Sequence, residues 1–176
     1  MKRFILAIIT GLLLTTTPAY AQRHHHKDNR PPHHEQHDSR GPSYFIGNNG
    51  VFFEGKEVKG ASVSTFVVLG HGYAKDAWHV YYKGRSVKGA SPSSFTTLTH
   101  RYAKDAWNAY FRGRKVKGAS VNSFQVLRDG YAKDAWNVYY NGDKIDGASA
   151  NSFKVLHDGY AEDAWTTYYH GRKASR

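Results

Sequence analysis

Trp78, Trp107, Trp136 and Trp165 stand 29 residues apart, and the same interval separates Gly60, Gly89, Gly118 and Gly147, and Phe66, Phe95, Phe124 and Phe153. One period shared by three unrelated residue types restricts the fold to a tandem repeat, in which each unit completes its core against its neighbours. Tyr44 opens the first unit, and Tyr73, Tyr102, Tyr131 and Tyr160 follow at the same interval, giving four full units and a fifth that stops after Arg172. The end units differ from the middle ones, as caps of an array do. The first reads YFIGNNGVFF in place of YAKDAWHVYY, and the last carries Glu162 where the middle three have Lys75, Lys104 and Lys133.

Within a unit the segments are short and the turns explicit. Trp78 to Tyr82 is aromatic and β-branched, Lys83-Gly84 turns the chain, and Val87 begins the return, a hairpin pattern. In the fourth copy the turn is Asn141-Gly142, the strongest short hairpin dipeptide. A second hairpin is expected to join Phe66-Val67-Val68-Leu69 to Tyr73-Ala74-Lys75. Strand alternation then assigns faces. The position after each tryptophan is His79, Asn108, Asn137 or Thr166, always polar, which predicts Trp78, Val80 and Tyr82 in the core and Tyr81, Tyr110, Tyr139 and Tyr168 on the outer face. A buried Trp107 or Trp136 would cost about 3–5 kcal/mol on replacement by alanine. Ser62, Ser91, Ser120 and Ser149 are placed to cap a single helical or 3₁₀ turn. Asp76, Asp105, Asp134 and Asp163 suit an Asx-type turn leading into the tryptophan. A calcium ladder is the weaker reading, because calcium needs six to eight oxygens and each unit offers one recurrent carboxylate.

The fold class is therefore all-β: tandem 29-residue hairpin repeats stacked as an elongated, solenoid-like array, with a small closed barrel or propeller-like ring as the alternative. The units, for example YAKDAWNVYYNGDKIDGASANSFKVL, resemble the DKNYY repeat family of bacterial proteins. That family's pattern runs Asp-Lys-Asn-x-Val-Tyr-Tyr, a glycine turn, Gly-Ala-Asp/Ser and then Thr/Ser-Phe-x-Val-Leu. The resemblance covers about 44 to 173 and departs where Asp76-Ala77-Trp78 replaces Asp-Lys-Asn. It implies an exported protein and no particular activity, the family being of unknown function.

Upstream of the repeats, Met-Lys-Arg, the apolar run Phe4 to Leu14 and the small-residue end Ala19-Tyr20-Ala21 have the three parts of a signal peptide, assigned to 1–21. The expected mature product is periplasmic or extracellular, a monomer with no membrane span. Cleavage would remove Lys2 and Arg3 and lower the formal charge from +11 to +9. With no cysteine to staple the fold, 13 tyrosines, 9 phenylalanines and 4 tryptophans must supply the burial. Residues 22–43 offer almost nothing to bury and read as a disordered, histidine-rich tail. There His24, His25, His26, His33, His34 and His37 could ligate copper, nickel or zinc. If cleavage follows Ala21, the new terminus Gln22-Arg23-His24 has the nitrogens for a square-planar Cu(II) or Ni(II) site. The zinc-protease pattern is absent, since no histidine in the tail is followed by both a glutamate and a second histidine at the required spacing.

No unrepeated catalytic constellation is present, so the chain is read as a non-enzyme that requires no cofactor. The expected function is an envelope or extracellular module binding anionic or glycan surfaces, with nucleic acid bound only nonspecifically. Its candidate ligand-binding residues are Tyr81, Tyr110 and Tyr139 with Lys83, Arg85, Arg112, Arg114 and Lys117, cations beside what the alternation predicts to be exposed rings. The alternative is a metal-binding protein acting through the histidine-rich tail.

Overall fold

A computed structural model describes residues 43–174. The signal-peptide assignment, the histidine-rich tail and its six histidines lie outside the described residues. The repeats build five separate antiparallel sheets, one of three strands and four of four strands, which do not close into a barrel. The first contains β1 (Tyr44–Gly47), β2 (Gly50–Phe53) and β3 (Lys56–Glu57). The second is a meander of β4 (Val67–Gly70), β5 (Tyr73–Lys75), β6 (Val80–Tyr82) and β7 (Arg85–Ser86). The same meander recurs over 96–115, 125–144 and 154–173.

Both expected hairpins form. β4 pairs with β5, and β6 pairs with β7 through Lys83-Gly84 with Tyr82 opposite Arg85. Lys83 and Gly84 have φ of 47° and 73°, the left-handed pair that a two-residue turn needs to match the strand twist. The equivalent Gly113 has a second reason to be glycine. A Cβ there would lie 2.7 Å from the Cβ of Tyr82, because each turn packs onto an aromatic residue of the preceding unit. The last strand of each sheet is only two residues long and carries charge, which blunts that edge.

The core lies between successive sheets. Tyr73, Val80, Val87 and Phe95 meet Ala103 and Tyr110 of the next unit, and the next layer down the array gathers Tyr102, Ala109, Phe111, Val116 and Phe124 against Ala132 and Tyr139. Adjacent residues such as Val80 and Tyr81 therefore face different layers, and both are buried. This corrects the expected outer face. Alternation holds, but the strands of the middle sheets are covered on both sides, and the last sheet is covered on the face that carries Tyr168 while Tyr169 stays exposed, so Tyr81, Tyr110, Tyr139 and Tyr168 are 0–1 % exposed. Their rings join an aromatic chain through the layer, with Tyr73 to Phe95 and Phe95 to Tyr110 at centroid distances of 5.4 and 5.5 Å.

The tyrosine that opens each unit latches it to the next. Tyr102 Oη donates to Gly130 O at 3.0 Å and accepts from Gly142 N at 2.9 Å, and Tyr44, Tyr73 and Tyr131 repeat both contacts one unit apart. Tyr160 is exposed and has no such partner among the described residues. Tyr102→Phe leaves a backbone donor and a carbonyl short of a partner and is expected to lower stability by about 1–3 kcal/mol in urea unfolding. Tyr160→Phe is expected to stay within about 0.5 kcal/mol. Equal losses at the two sites would refute the latch.

Candidate functional site

Burial of both faces of the middle sheets leaves the two ends of the strands as surfaces that recur in every unit. One end is made by the β5–β6 connection, Asp76-Ala77-Trp78-His79. Asp76 Oδ1 accepts the backbone N–H of Trp78 at 2.8 Å and of His79 at 2.6 Å, which is the expected Asx turn. Oδ2 accepts Ser62 N at 2.9 Å and the Tyr81 hydroxyl at 2.8 Å. One buried carboxylate thus ties the turn to its own sheet and to the loop of the preceding unit. Asp105, Asp134 and Asp163 repeat all four bonds.

The turn carries the tryptophan outward. Trp78, Trp107, Trp136 and Trp165 are 75 %, 78 %, 79 % and 84 % exposed, which overturns their expected place in the core. The strand begins at Val80, so the tryptophan sits on the hairpin tip and the alternation rule does not reach it. The hydroxyl of Thr65, Ser94, Ser123 or Ser152 accepts the amide of the alanine before each tryptophan at 3.1–3.2 Å. These four were not singled out from sequence, although a hydroxyl recurs at that phase in every unit. The serines expected to cap contribute differently. Ser62 and Ser120 precede 3₁₀ turns at Val63–Thr65 and Val121–Ser123 without making a side-chain cap, and it is the Ser62 backbone amide that the aspartate uses.

Successive turns of a meander fall at alternate ends of the strands, so the Lys83-Gly84 turns lie opposite the tryptophans. There Lys56, Lys83, Arg85, Arg112 and Arg114, with Glu54 and Glu57, line an open trough of about 680 Å³ across the first three units. Arg114 Nη2 lies 3.7 Å from Asp143 Oδ1, an exposed pair at which the cations from Lys83 to Arg114 meet an acid of the fourth unit.

A family model described as the DKNYY family matches residues 44–172, nearly all of the described chain. The chain belongs to the DKNYY family. In DKNYY terms, the Asp-Lys-Asn position is the hairpin tip, and the exchange to Asp-Ala-Trp falls on residues that carry no core packing. Neither a curated protein nor a solved structure matches the chain.

The structure separates the candidate residues of this DKNYY array. Lys83, Arg85, Arg112 and Arg114 come together in the trough. Lys117 is exposed but lies beside Gly118, whose carbonyl accepts Asn137 Nδ2 at 3.4 Å, at the tryptophan end. Tyr81, Tyr110 and Tyr139 cannot offer a ring to a ligand: each is buried with its hydroxyl on an aspartate. Among the described residues no group of three or more histidine, cysteine, aspartate or glutamate side chains is gathered for a metal. The recurrent aspartates are surrounded by N–H and O–H donors, the opposite of a cation's shell.

Burial alone would raise the pKa of these aspartates. The bonds from Ser62 N, Trp78 N, His79 N and Tyr81 together outweigh it, and Asp76 is held below the usual carboxylate range, as are Asp105, Asp134 and Asp163. The tyrosine partners move the other way: desolvation and the adjoining carboxylate push Tyr81, Tyr110 and Tyr139 up. A depressed folded-state pKa gives stability that is full above the unfolded value, about 3.9, and is lost as pH falls through the folded value. The urea midpoint is therefore expected to hold from about pH 7 to 5 and to fall steeply below about pH 4. In Asp134→Asn the midpoint should be lower at pH 7 and the acid slope shallower. A wild-type midpoint unchanged down to about pH 3 would refute the aspartate clamp.

Proposed function

We propose that the chain is a non-enzymatic, exported interaction module, periplasmic or released, that binds anionic or glycan polymers of the cell envelope. The observation that carries this reading is the basic trough. Lys83, Arg85, Arg112 and Arg114 stand exposed on rigid two-residue turns and edge strands, repeated at the unit interval along one side of the array. Regularly spaced cations on a fixed scaffold suit a polymer with regularly spaced charge, since each added contact binds at the effective concentration set by the last. Such a face also attracts nucleic acid without sequence preference.

Co-sedimentation of the protein with purified envelope polysaccharide tests it. Binding is expected at about 50 mM salt and should fall steeply by about 500 mM, where the Debye length shortens to a few ångströms. The variant Lys83→Glu/Arg85→Glu/Arg112→Glu/Arg114→Glu is expected to lose most of it. Wild-type sedimentation by that variant would remove the trough from the site.

The second reading, metal handling, is favoured by six imidazoles between His24 and His37. Titration with Cu(II), Ni(II) and Zn(II) is expected to show uptake by the full chain and none by a chain lacking 22–42. Equal uptake by both would overturn this reading.

A further inference from the structure

The tryptophan end is not absorbed by the trough. Four indoles, each about four-fifths exposed, are held by aspartate clamps, three of them with a buried carboxylate at Asp76, Asp105 and Asp134, yet they add nothing to the layers between sheets. Isolated apolar residues on a surface need no explanation, but the same large ring displayed on the same rigid turn four times does. Sheets packed face to face lie about 10 Å apart, so the indoles recur at about that spacing along one edge. Each has a polar neighbour on the next residue: His79, Asn108, Asn137 or Thr166. A flat apolar ring beside hydrogen-bonding side chains matches a pyranose, whose C–H face is apolar and whose rim is hydroxyl.

Charge says which glycan. Tyr81 Oη lies 3.3 Å from Gly60 O, and Tyr110 Oη 3.1 Å from Gly89 O, so the residues just before those glycines stand beside the tryptophan turns of the following unit. Those residues are Lys59 beside the Trp78 turn, Lys88 beside Trp107, Lys117 beside Trp136 and Asp146 beside Trp165. The residue three before each tryptophan follows the same order: Lys75, Lys104, Lys133 and then Glu162. Lys75 Nζ donates to Pro92 O at 2.8 Å and Lys133 Nζ to Ala150 O at 3.1 Å, so this second lysine reaches from its own tryptophan turn toward the next. Lysines thus line the row along the first three indoles, and two acids enter it at the last. The clamp aspartates stay ionised and each offsets one lysine, which leaves each of the first three turns net positive and the fourth, with Asp146, Glu162 and Asp163, net negative.

We propose that Trp78, Trp107 and Trp136 with the lysines of their row form a binding edge for one linear acidic polysaccharide, laid across the units with sugar rings stacked on the indoles and acid groups between the lysines. This rests on the glycan part of the preceding reading but uses the opposite end of the strands from the trough.

The test is titration of the full chain with oligogalacturonides of increasing length, read by tryptophan fluorescence and calorimetry, with cello-oligosaccharides of equal length as the uncharged comparison. Affinity is expected to rise with length until the oligomer spans three units, with a blue shift in emission, and to be weaker for the uncharged series. Trp107→Ala/Trp136→Ala should bind at least about ten-fold more weakly with an unchanged Tm, since exposed rings carry little stability. Trp165→Ala should bind nearly as wild type, and Lys88→Glu/Lys117→Glu should lose the preference for the acidic series. The trough variant should keep the blue shift and its length dependence, because the indoles alone report it. Loss of oligogalacturonide binding in the trough variant but not in the tryptophan variant overturns this proposal and leaves the trough reading standing. Sedimentation with envelope polysaccharide that persists while no oligomer shifts the fluorescence overturns it as well. A blue shift with anionic phospholipid vesicles and none with oligogalacturonides overturns it in favour of a membrane surface.

Discussion

Every unit has loops that meet its neighbour, and the backbone N–H and C=O groups of those loops must find partners once the sheets stack. Two side chains meet most of that demand. At one end of the strands the tyrosine that opens a unit reaches the next unit, donating to the carbonyl before its first strand and accepting from its turn glycine. At the other end the aspartate accepts three amides and a phenol, one of the amides from the unit before. The layers between sheets are aromatic and non-directional. The two polar latches give them their register, because neither can form if one sheet slides or rotates on the next.

The first unit shows how tightly these features are linked. At the positions of the aspartate, the tryptophan and the clamped tyrosine it has Gly47, Asn49 and Phe52. Fourteen residues before Asp76 stands Ser62, in a Gly-Ala-Ser loop; fourteen before Gly47 stands His33, in the histidine-rich segment. Without that loop the carboxylate would have no inter-unit amide to hold. The carboxylate, the phenol and the indole are replaced together, which ties display of the tryptophan to the clamp and not to core packing.

The period, the two hairpins, the Lys83-Gly84 and Asn141-Gly142 turns and the Asx role of Asp76 were all legible in the sequence, because each rests on local backbone chemistry. The facing of the strands was not. A polar residue after every tryptophan suggested one wet face, whereas the array covers both, and a chain cannot signal locally that its second face will be covered by a copy of itself. One conflict was nevertheless visible: an Asx turn begun by Asp76 includes Trp78, so the tryptophan could not also open a strand. The tyrosine bonds span 28 and 40 residues and leave no mark beyond the recurrence of the tyrosine itself.

Stacking consumes both broad faces of the middle sheets, while Phe45 and Ile46 of the first and Tyr160 and Tyr169 of the last stay exposed, so the surfaces that repeat along the array are the rows of turns and edge strands. A row that repeats one unit's chemistry at a fixed rise offers an open, extended surface, such as the trough of about 680 Å³ across the first three units, and not an enclosed pocket. The partner proposed for it is accordingly extended and repetitive, binding through many weak, equally spaced contacts. The two rows differ in kind. The trough exposes mainly charged side chains over the largely covered Phe53, Tyr82 and Val87 and so should discriminate weakly among polyanions, while the tryptophan edge adds projecting rings and so, on the proposal above, selects for a polymer that carries both acid groups and apolar faces. Where the lysines give way to Asp146 and Glu162 the indole remains but the charge reverses. That makes the fourth tryptophan an internal control for whether the ring or the charge decides what this edge holds.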